Sequence, residues 1–306
     1  MQRNNRIANK ESIKSEISNG VKKYADLHIH TQHSDSTLSP EEVVELAYEK
    51  GLSAISITDH DCVDGIAPSI EQAKKYNLEI VPGVELTAEE DNLEVHLIGY
   101  FIDWHAEWFD KKLAEIRAAR VARVHGMVAK LKDVGIDIEA KKVLQLSGPG
   151  SVGRLHLAMV LYNEGYTSSI SEAFRKYIGN NAPCYVKKFK LTPQEAIDMI
   201  LKLGGVPVLA HPYILGRDDL IGNLVEKGLR GIEVYHTEHP NNVTLHYEDI
   251  AFEHGLLITG GSDCHGMGKG NILIGRIKVP YRLVEDLKRE ASKIKEKLAH
   301  QKKKSE

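Results

Sequence analysis

Histidines and carboxylates stand at the ends of the predicted strands, at spacings that suit metal binding. His28 and His30 alternate at the end of the first strand, and a period of two sends both imidazoles to one face. Later strands end in the segments TDHD, GVE, AHP and GSDCHG, and another strand carries the histidine of HLIGY. Nine candidate metal ligands result: His28, His30, Asp35, His60, Glu85, His96, His211, Asp263 and His265.

This set of side chains predicts a metal centre with more than one ion. Imidazoles combined with carboxylates suit zinc, manganese or iron better than calcium. The nine donors exceed what one four-coordinate ion uses, so we expect two or three divalent ions. No serine or cysteine stands out as a nucleophile.

The elements that must hold these residues read as repeated strand–helix units. Ser39-Pro40-Glu41-Glu42 and Thr192-Pro193-Gln194-Glu195 are capping boxes, which predict that a helix begins at each. Strand–helix repetition favours a parallel sheet, closed or open, and the carboxyl ends of strands in a parallel barrel meet at one rim. The predicted strands are Tyr24–His30, Ser53–Thr58, Leu78–Val84, Leu93–Phe101, Val206–Ala210, Gly231–Tyr235, Leu256–Thr259 and a strand near Ile272–Val279.

Three segments depart from this pattern. Residues 1–22 are polar and lack a steady apolar period, so we interpret them as an N-terminal tail. Residues 104–190 begin with apolar residues at helical spacing, which predicts a helical insertion between barrel segments 23–103 and 191–280. Residues 281–306 predict a charged C-terminal helix and tail.

Composition excludes several classes of protein. Lys+Arg is 40 and Asp+Glu is 43, giving a net charge of −3 that argues against extended DNA binding. Three scattered cysteines exclude a disulfide framework and a cysteine-rich zinc module. No apolar run reaches the roughly 18 residues of a membrane span. The N-terminus has no apolar signal segment, so we expect a cytoplasmic protein without membrane association.

The ordered motifs resemble those of a known family. The segments YADLHIHTQHSDSTLSP, ITDHD, VPGVE, HLIGY, LAHP and GSDCHG are similar to the PHP (polymerase and histidinol phosphatase) phosphoesterases. Within that family the chain resembles the stand-alone branch that hydrolyses nucleoside 3′,5′-bisphosphates or degrades short RNA from its 5′ end. The resemblance implies an α/β fold, a distorted (β/α)7 TIM-like barrel, with the insertion as a substrate cap.

The resemblance also implies how the ligands divide among three ions. The first ion would take His28, His30, Glu85 and Asp263, the second Glu85, His96 and His211, and the third Asp35, His60 and His265. Manganese is the favoured metal. A hydroxide bridging two ions would attack the phosphorus, and Glu85 and Asp263 are therefore expected to be catalytic.

The insertion contributes Gly153-Arg154-Leu155-His156, and similar segments in this branch reach the substrate phosphate. Arg154 suits that task because a guanidinium can donate to two phosphate oxygens. We expect Arg154 and His156 to act in catalysis and substrate binding, and His236, which ends a strand on the same rim, to contact substrate. Four other histidines are predicted to be surface residues: His239, His246, His254 and His300.

Other functions stay open at this point. Histidinol phosphate is an alternative substrate for a phosphoesterase of this family. A metal-dependent amidohydrolase is disfavoured because that class uses a bridging lysine on a middle strand, where this chain has Glu85. A PHP scaffold that only binds would have lost metal ligands, whereas all nine are present here.

Overall fold

The computed structural model describes residues 23–91, 93–148, 150–180, 182–187 and 191–305, so the predicted tail at 1–22 lies outside the described residues. The described strands are β1 (Tyr24–Ile29), β2 (Ala54–Ile57), β3 (Glu79–Glu90), β4 (Leu93–Tyr100), β5 (Val206–Leu209), β6 (Gly231–His236), β7 (Leu257–Gly261) and β8 (Val279–Pro280). They form one sheet in the order β7-β6-β5-β4-β3-β2-β1-β8, which curls into a nearly closed barrel. The predicted α/β barrel is confirmed.

The fourth strand runs against its neighbours, which differs from the parallel rim expected from the sequence. β4 is antiparallel to β3, with His96 opposite Thr87, and it is also antiparallel to β5. Only two residues separate Glu90 from Leu93, which permits a hairpin but not the long crossover of a parallel pair. His96 therefore lies inside a strand rather than at a strand end. The strand expected near Ile272–Val279 is also shorter, since β8 has two residues.

The barrel closes between β1 and the segment that follows β7. The backbone N–H of His30 donates to the carbonyl of Cys264 at 3.1 Å, and that of Asp263 donates to the carbonyl of His28 at 2.8 Å. Gly261 makes this approach possible, because a Cβ there would lie 2.3 Å from the backbone nitrogen of His28. Candidate metal ligands from the two ends of the chain are thus joined by the closing bonds.

Helices surround the sheet and fill the insertion. Their bounds are α1 (Pro40–Glu49), α2 (Ile66–Ala73), α3 (Glu107–Asp133), α4 (Ala140–Ser147), α5 (Arg154–Asn163), α6 (Ile170–Ala173), α7 (Pro193–Lys202), α8 (Pro212–Leu215), α9 (Asp219–Glu226), α10 (Asn241–His254) and α11 (Arg282–Ser305). Both predicted capping boxes are confirmed, at Ser39 before α1 and at Thr192 before α7. A search of the described helices finds none with the length and apolar character of a membrane span.

The long helix α3 joins the barrel to the insertion. Its first half buries Phe109 and Leu113 in the main core that packs against the sheet. Its second half buries Met127 and Leu131 in a separate apolar cluster, together with Leu157 and other residues of the insertion. The helical spacing seen in the sequence is therefore confirmed, and the helix packs against both the main core and the separate apolar cluster.

Candidate metal centre

Glu85 lies at the centre of the site, in the middle of β3. Its backbone N–H donates to the carbonyl of Asp59 at 3.2 Å, which continues the parallel pairing of β2 and β3. The side chain is fully buried. Five imidazoles place a ring nitrogen 2.8–3.2 Å from its carboxylate oxygens: His28, His30, His60, His96 and His211.

Three groups of potential ligand atoms surround this carboxylate, and the atoms of each group lie within 4.8 Å of one another. The groups are His28, His30, Glu85 and Asp263; His60, Glu85 and His96; and His30, Asp35, His60 and His265. His211 approaches the same Glu85 oxygen as His96, at 3.1 Å. The structure thus brings all nine predicted ligands together.

His60 stands between two of these groups. Its Nδ1 is 3.2 Å from Oε2 of Glu85, while its Nε2 is 3.9 Å from Oδ2 of Asp35. The sequence analysis assigned His60 to the third ion alone. The division of ligands among the ions stays a prediction.

Two buried atoms of the site point to cations. Oδ1 of Asp35 and Nδ1 of His60 make no hydrogen bond with any described residue, although Oδ1 of Asp35 is 3.2 Å from Nε2 of His265. Buried polar atoms normally have partners, and atoms that face one another without hydrogen-bond geometry can share a cation. Imidazole nitrogen with carboxylate oxygen is the ligand set of manganese, iron and zinc. The residues present therefore fit divalent metal ions.

The carboxylates bias the protonation of the imidazoles. Burial opposes a charge on His96, but Glu85 and Glu94 outweigh burial and raise its pKa to about 9. Burial dominates at His211 and lowers its pKa to about 4. Burial also opposes ionisation of Glu85, yet the surrounding imidazoles, with His60 foremost, hold its pKa well below the usual range. Because a metal ion binds the unprotonated imidazole, ions and protons compete for His96.

Glu233, on β6, supports two ligands and was not predicted. Its Oε1 lies 3.0 Å from Nδ1 of His28, and its Oε2 accepts the backbone N–H of His211 at 2.8 Å. The contact at Nδ1 leaves Nε2 of His28 directed at Glu85. The available signal was a single acidic residue within the apolar strand GIEVYH.

Asp61 ties the insertion to the site, another role that the sequence analysis missed. Its Oδ2 is 2.6 Å from Nη2 of Arg120 on α3, and both side chains are buried. Its Oδ1 accepts the backbone N–H of Thr87 at 3.1 Å. Helix α3 is therefore held against β3 by a buried ion pair beside the ligands.

Arg154 begins α5 and faces the partly buried carboxylate of Glu94. Its Nη2 lies 2.6 Å from Oε2 of Glu94, and its Nη1 donates to Oδ1 of Asn180 at 2.9 Å. Glu94 also contacts Nη1 of Arg123 at 2.8 Å, and its Oε2 is 3.8 Å from Nε2 of His96. Glu94 thus places a pair of guanidinium groups near His96, a candidate metal ligand.

The other two predicted substrate contacts are buried. Nδ1 of His156 accepts the backbone N–H of Gly153 at 3.0 Å, which fixes the first turn of α5. Nε2 of His236 lies 3.5 Å from Oδ2 of Asp263, and the residue is 2% exposed. A direct contact of either histidine with substrate stays a prediction.

The prediction that His239 is a surface residue is wrong. Its Nδ1 contacts the carbonyl of Val234 at 2.8 Å, and its ring packs against Tyr247. The turn that follows β6 folds this ring back onto its own strand, which the sequence spacing does not reveal. His246, His254 and His300 are exposed as predicted.

A pocket of about 690 Å³ joins the ligands to the insertion. Candidate metal ligands line part of it: Asp35, His60, His96 and His265. Cationic side chains line another part: Arg120, Arg123, Arg154 and Lys269. Apolar side chains complete it: Leu155, Ile170, Phe174 and Met267. The pocket can therefore hold a molecule with both anionic and apolar parts.

Comparison with known proteins shows which proteins the whole chain resembles. The 3′,5′-nucleoside bisphosphate phosphatase of Chromobacterium violaceum is 31% identical, over 82% of this chain and 90% of its own. The 5′-3′ exoribonuclease Rnm of Escherichia coli is 32% identical, over 78% and 84%. A solved protein from Bifidobacterium adolescentis, described as a metal-dependent phosphoesterase, has a TM-score of 0.81 and 31% identity, covering 89% of this chain and 98% of its own.

A family model also matches the chain. The model of the PHP domain covers residues 26–188, which include the ligands from His28 to His96 and most of the insertion. The resemblance drawn from the motifs is thereby confirmed. The chain belongs to the PHP domain family and is a metal-dependent phosphoesterase.

Proposed function

We propose that the protein hydrolyses phosphate esters of small nucleotides, either nucleoside 3′,5′-bisphosphates or short 5′-phosphorylated RNA. The observation that carries this proposal is one pocket lined both by metal ligands and by arginines. A substrate with two phosphates needs metal ions at the phosphate that reacts and a separate cationic site for the other phosphate. The activities named for the two relatives support the same substrate class.

The ligand groups around Glu85 would hold two or three divalent ions, and we favour manganese. Such ions lower the pKa of coordinated water and offset the charge of phosphoryl oxygens when they are bound. The protein itself fixes the donors: Glu233 orients His28 and anchors the backbone of His211, and the closing bonds of the barrel hold Asp263 beside them. Glu85 and Asp263 are proposed as catalytic through these positions.

The guanidinium pair of Arg123 and Arg154 would bind the second phosphate. Nη2 of Arg123 is buried and has no hydrogen-bond partner among the described residues, so it leaves a donor for a phosphate oxygen. Glu94 holds both guanidinium groups in place. His156 supports the arrangement because it fixes the turn that carries Arg154. The apolar wall formed with Phe174 and Leu155 would pack against the nucleoside.

The test compares Arg154→Ala with the unchanged protein on two substrates. Turnover of a nucleoside 3′,5′-bisphosphate should fall roughly ten- to a hundredfold, because lost hydrogen bonds to a charged phosphate cost about 1.5–3 kcal/mol. Hydrolysis of an aryl phosphate, which has no second phosphate, should change little. Steady-state kcat/KM for both substrates is the measurement.

Arg117→Ala is the matched control, since Arg117 lies on α3, donates to the carbonyl of Asp61 and does not line the 690 Å³ pocket. It should leave both substrates unaffected. An equal loss on both substrates with Arg154→Ala would mean that Arg154 supports the fold or the ions and not the second phosphate. The proposed substrate class would be rejected if the protein released phosphate from histidinol phosphate but hydrolysed neither the nucleoside bisphosphate nor the short RNA.

A further inference from the structure

Lys269 contacts the candidate metal ligand Asp263, at the carboxylate oxygen that faces away from His30. It ends a short 3-10 helix, Gly266–Lys269, directly after the GSDCHG segment. Its Nζ lies 2.8 Å from Oδ2 of Asp263, and 42% of its side chain is exposed. The side chain lines the 690 Å³ pocket. The ammonium group therefore reaches both a metal ligand and the space where substrate would bind.

The backbone that carries Lys269 is held firmly. The N–H of Met267 donates to Oγ1 of Thr37 at 2.8 Å, and the N–H of Gly268 donates to the carbonyl of His265 at 3.0 Å. Gly266 has φ +58°, and a Cβ there would lie 2.3 Å from Oγ1 of Thr37. Such an approach is open only to glycine. The lysine is therefore fixed by the same segment that supplies Asp263 and His265.

The two oxygens of Asp263 have different partners. Oδ1 faces the first ligand group, 3.1 Å from Nε2 of His30, whereas Oδ2 faces Lys269. Oδ1 of Asp263 is therefore left for a metal ion. The ammonium group of Lys269 lies beside the first ligand group, next to Oδ2. Any phosphoryl group placed at that edge would meet the lysine.

The arginines of the pocket pair with carboxylates that are not candidate metal ligands. The carboxylate that pairs with Lys269 is a candidate metal ligand. Arg120 pairs with Asp61, and Arg123 and Arg154 share Glu94. The carboxylate beside Lys269 is a metal ligand, so a bound ion would share its negative charge. Among the lysines and arginines that line this pocket in the described chain, Lys269 is the one whose counter-charge belongs to the metal centre.

We propose that Lys269 binds the phosphoryl group that reacts, while the arginines bind the second phosphate. The inference rests on the proposed function and assigns its two phosphates to different cationic side chains of one pocket. The group that Lys269 would bind is a terminal phosphate dianion. Inorganic phosphate, the product released from such a group, belongs to the same class. Lys269 is thus a substrate-positioning residue with a role distinct from that of Arg154.

The test measures binding of inorganic phosphate to manganese-loaded protein by titration calorimetry, with metal content measured on the same samples. Lys269→Met should weaken phosphate binding about tenfold or more and leave metal content unchanged, because one charge-assisted contact is lost. Lys269→Arg should restore most of the affinity. The control Lys132→Met, at an exposed lysine of α3 outside the pocket, should stay within about twofold of the unchanged protein.

Two results would overturn the inference: unchanged phosphate affinity in Lys269→Met, or a loss of metal that accounts for the weaker binding. The second result would make Lys269 a support for Asp263 only. Failure of the proposed function is separate, because it shows as a lack of nucleotide turnover in the unchanged protein. Phosphate binding does not depend on that turnover.

Discussion

Glu85→Gln tests the metal centre most directly, because this carboxylate is shared by two ligand groups. The first and second groups both include Glu85, whereas the third group, with Asp35 and His265, does not. An amide nitrogen in place of one oxygen cannot serve as a ligand for either ion. We expect the bound metal to fall to at most one equivalent, with loss of turnover on every phosphate ester.

The same change should also destabilise the metal-free protein. Glu85 is fully buried, and five imidazoles contact its oxygens. Removing one partner of a buried ion pair costs about 3–5 kcal/mol of unfolding free energy. At about 2 °C for each kcal/mol in a chain of this size, the midpoint of thermal unfolding should fall by roughly 6–10 °C.

The assay combines elemental analysis after manganese loading with calorimetry of the chelator-treated protein. Glu89→Gln is the matched control: Glu89 is a buried glutamate on the same strand and belongs to none of the three ligand groups. It should keep at least two metal equivalents. Two or more metal equivalents in Glu85→Gln would show that two ions do not share Glu85. An unfolding temperature equal to that of Glu89→Gln would show that the imidazole contacts of Glu85 do not stabilise the metal-free protein.

Three further predictions follow from the contacts. His265→Ala should remove one metal equivalent, while His60→Ala should weaken two, because His60 faces both Glu85 and Asp35; equal losses in elemental analysis would contradict this. Asp61→Asn should lower the unfolding free energy in urea by about 3–5 kcal/mol, since it leaves buried Arg120 without its 2.6 Å partner; unchanged metal content is expected, and a loss of metal would count against a purely structural pair. Manganese added to chelated protein should raise the unfolding temperature by mass action, and an unchanged temperature would argue against manganese binding by the folded protein.

The grouping of the candidate ligands was predictable because barrel geometry gathers strand ends wherever they fall in the chain. His28, His30 and Asp263 show this, since a period of two and a shared rim place them together before any distance is known. The motif identified His96 as a candidate ligand, but it did not predict that its strand runs antiparallel to both neighbours. The two-residue connection from Glu90 to Leu93 held that information, because no parallel crossover is so short.

Residues that act through others were harder to predict. Glu233 works only because β6 lies beside β5 and across from β1, so its two contacts depend on the closed barrel. The pairing of Asp61 with Arg120 joins residues 59 positions apart across two units of the fold. Local pattern carries no information about such pairs, because their partner is chosen by packing and not by spacing.

Because the barrel closes at the candidate metal centre, a bound ion would link parts of the chain that are far apart in sequence. β1 and β7 meet through bonds made by His28, His30, Asp263 and Cys264, not through a long ladder of their own. An ion held by His30 and Asp263 would tie together residues 233 positions apart. It would act as a reversible cross-link of the folded chain, and its binding free energy would be lost on unfolding, whereas a disulfide also restricts the unfolded chain. In a protein whose three cysteines are all free, metal binding would then take the place of covalent bridging.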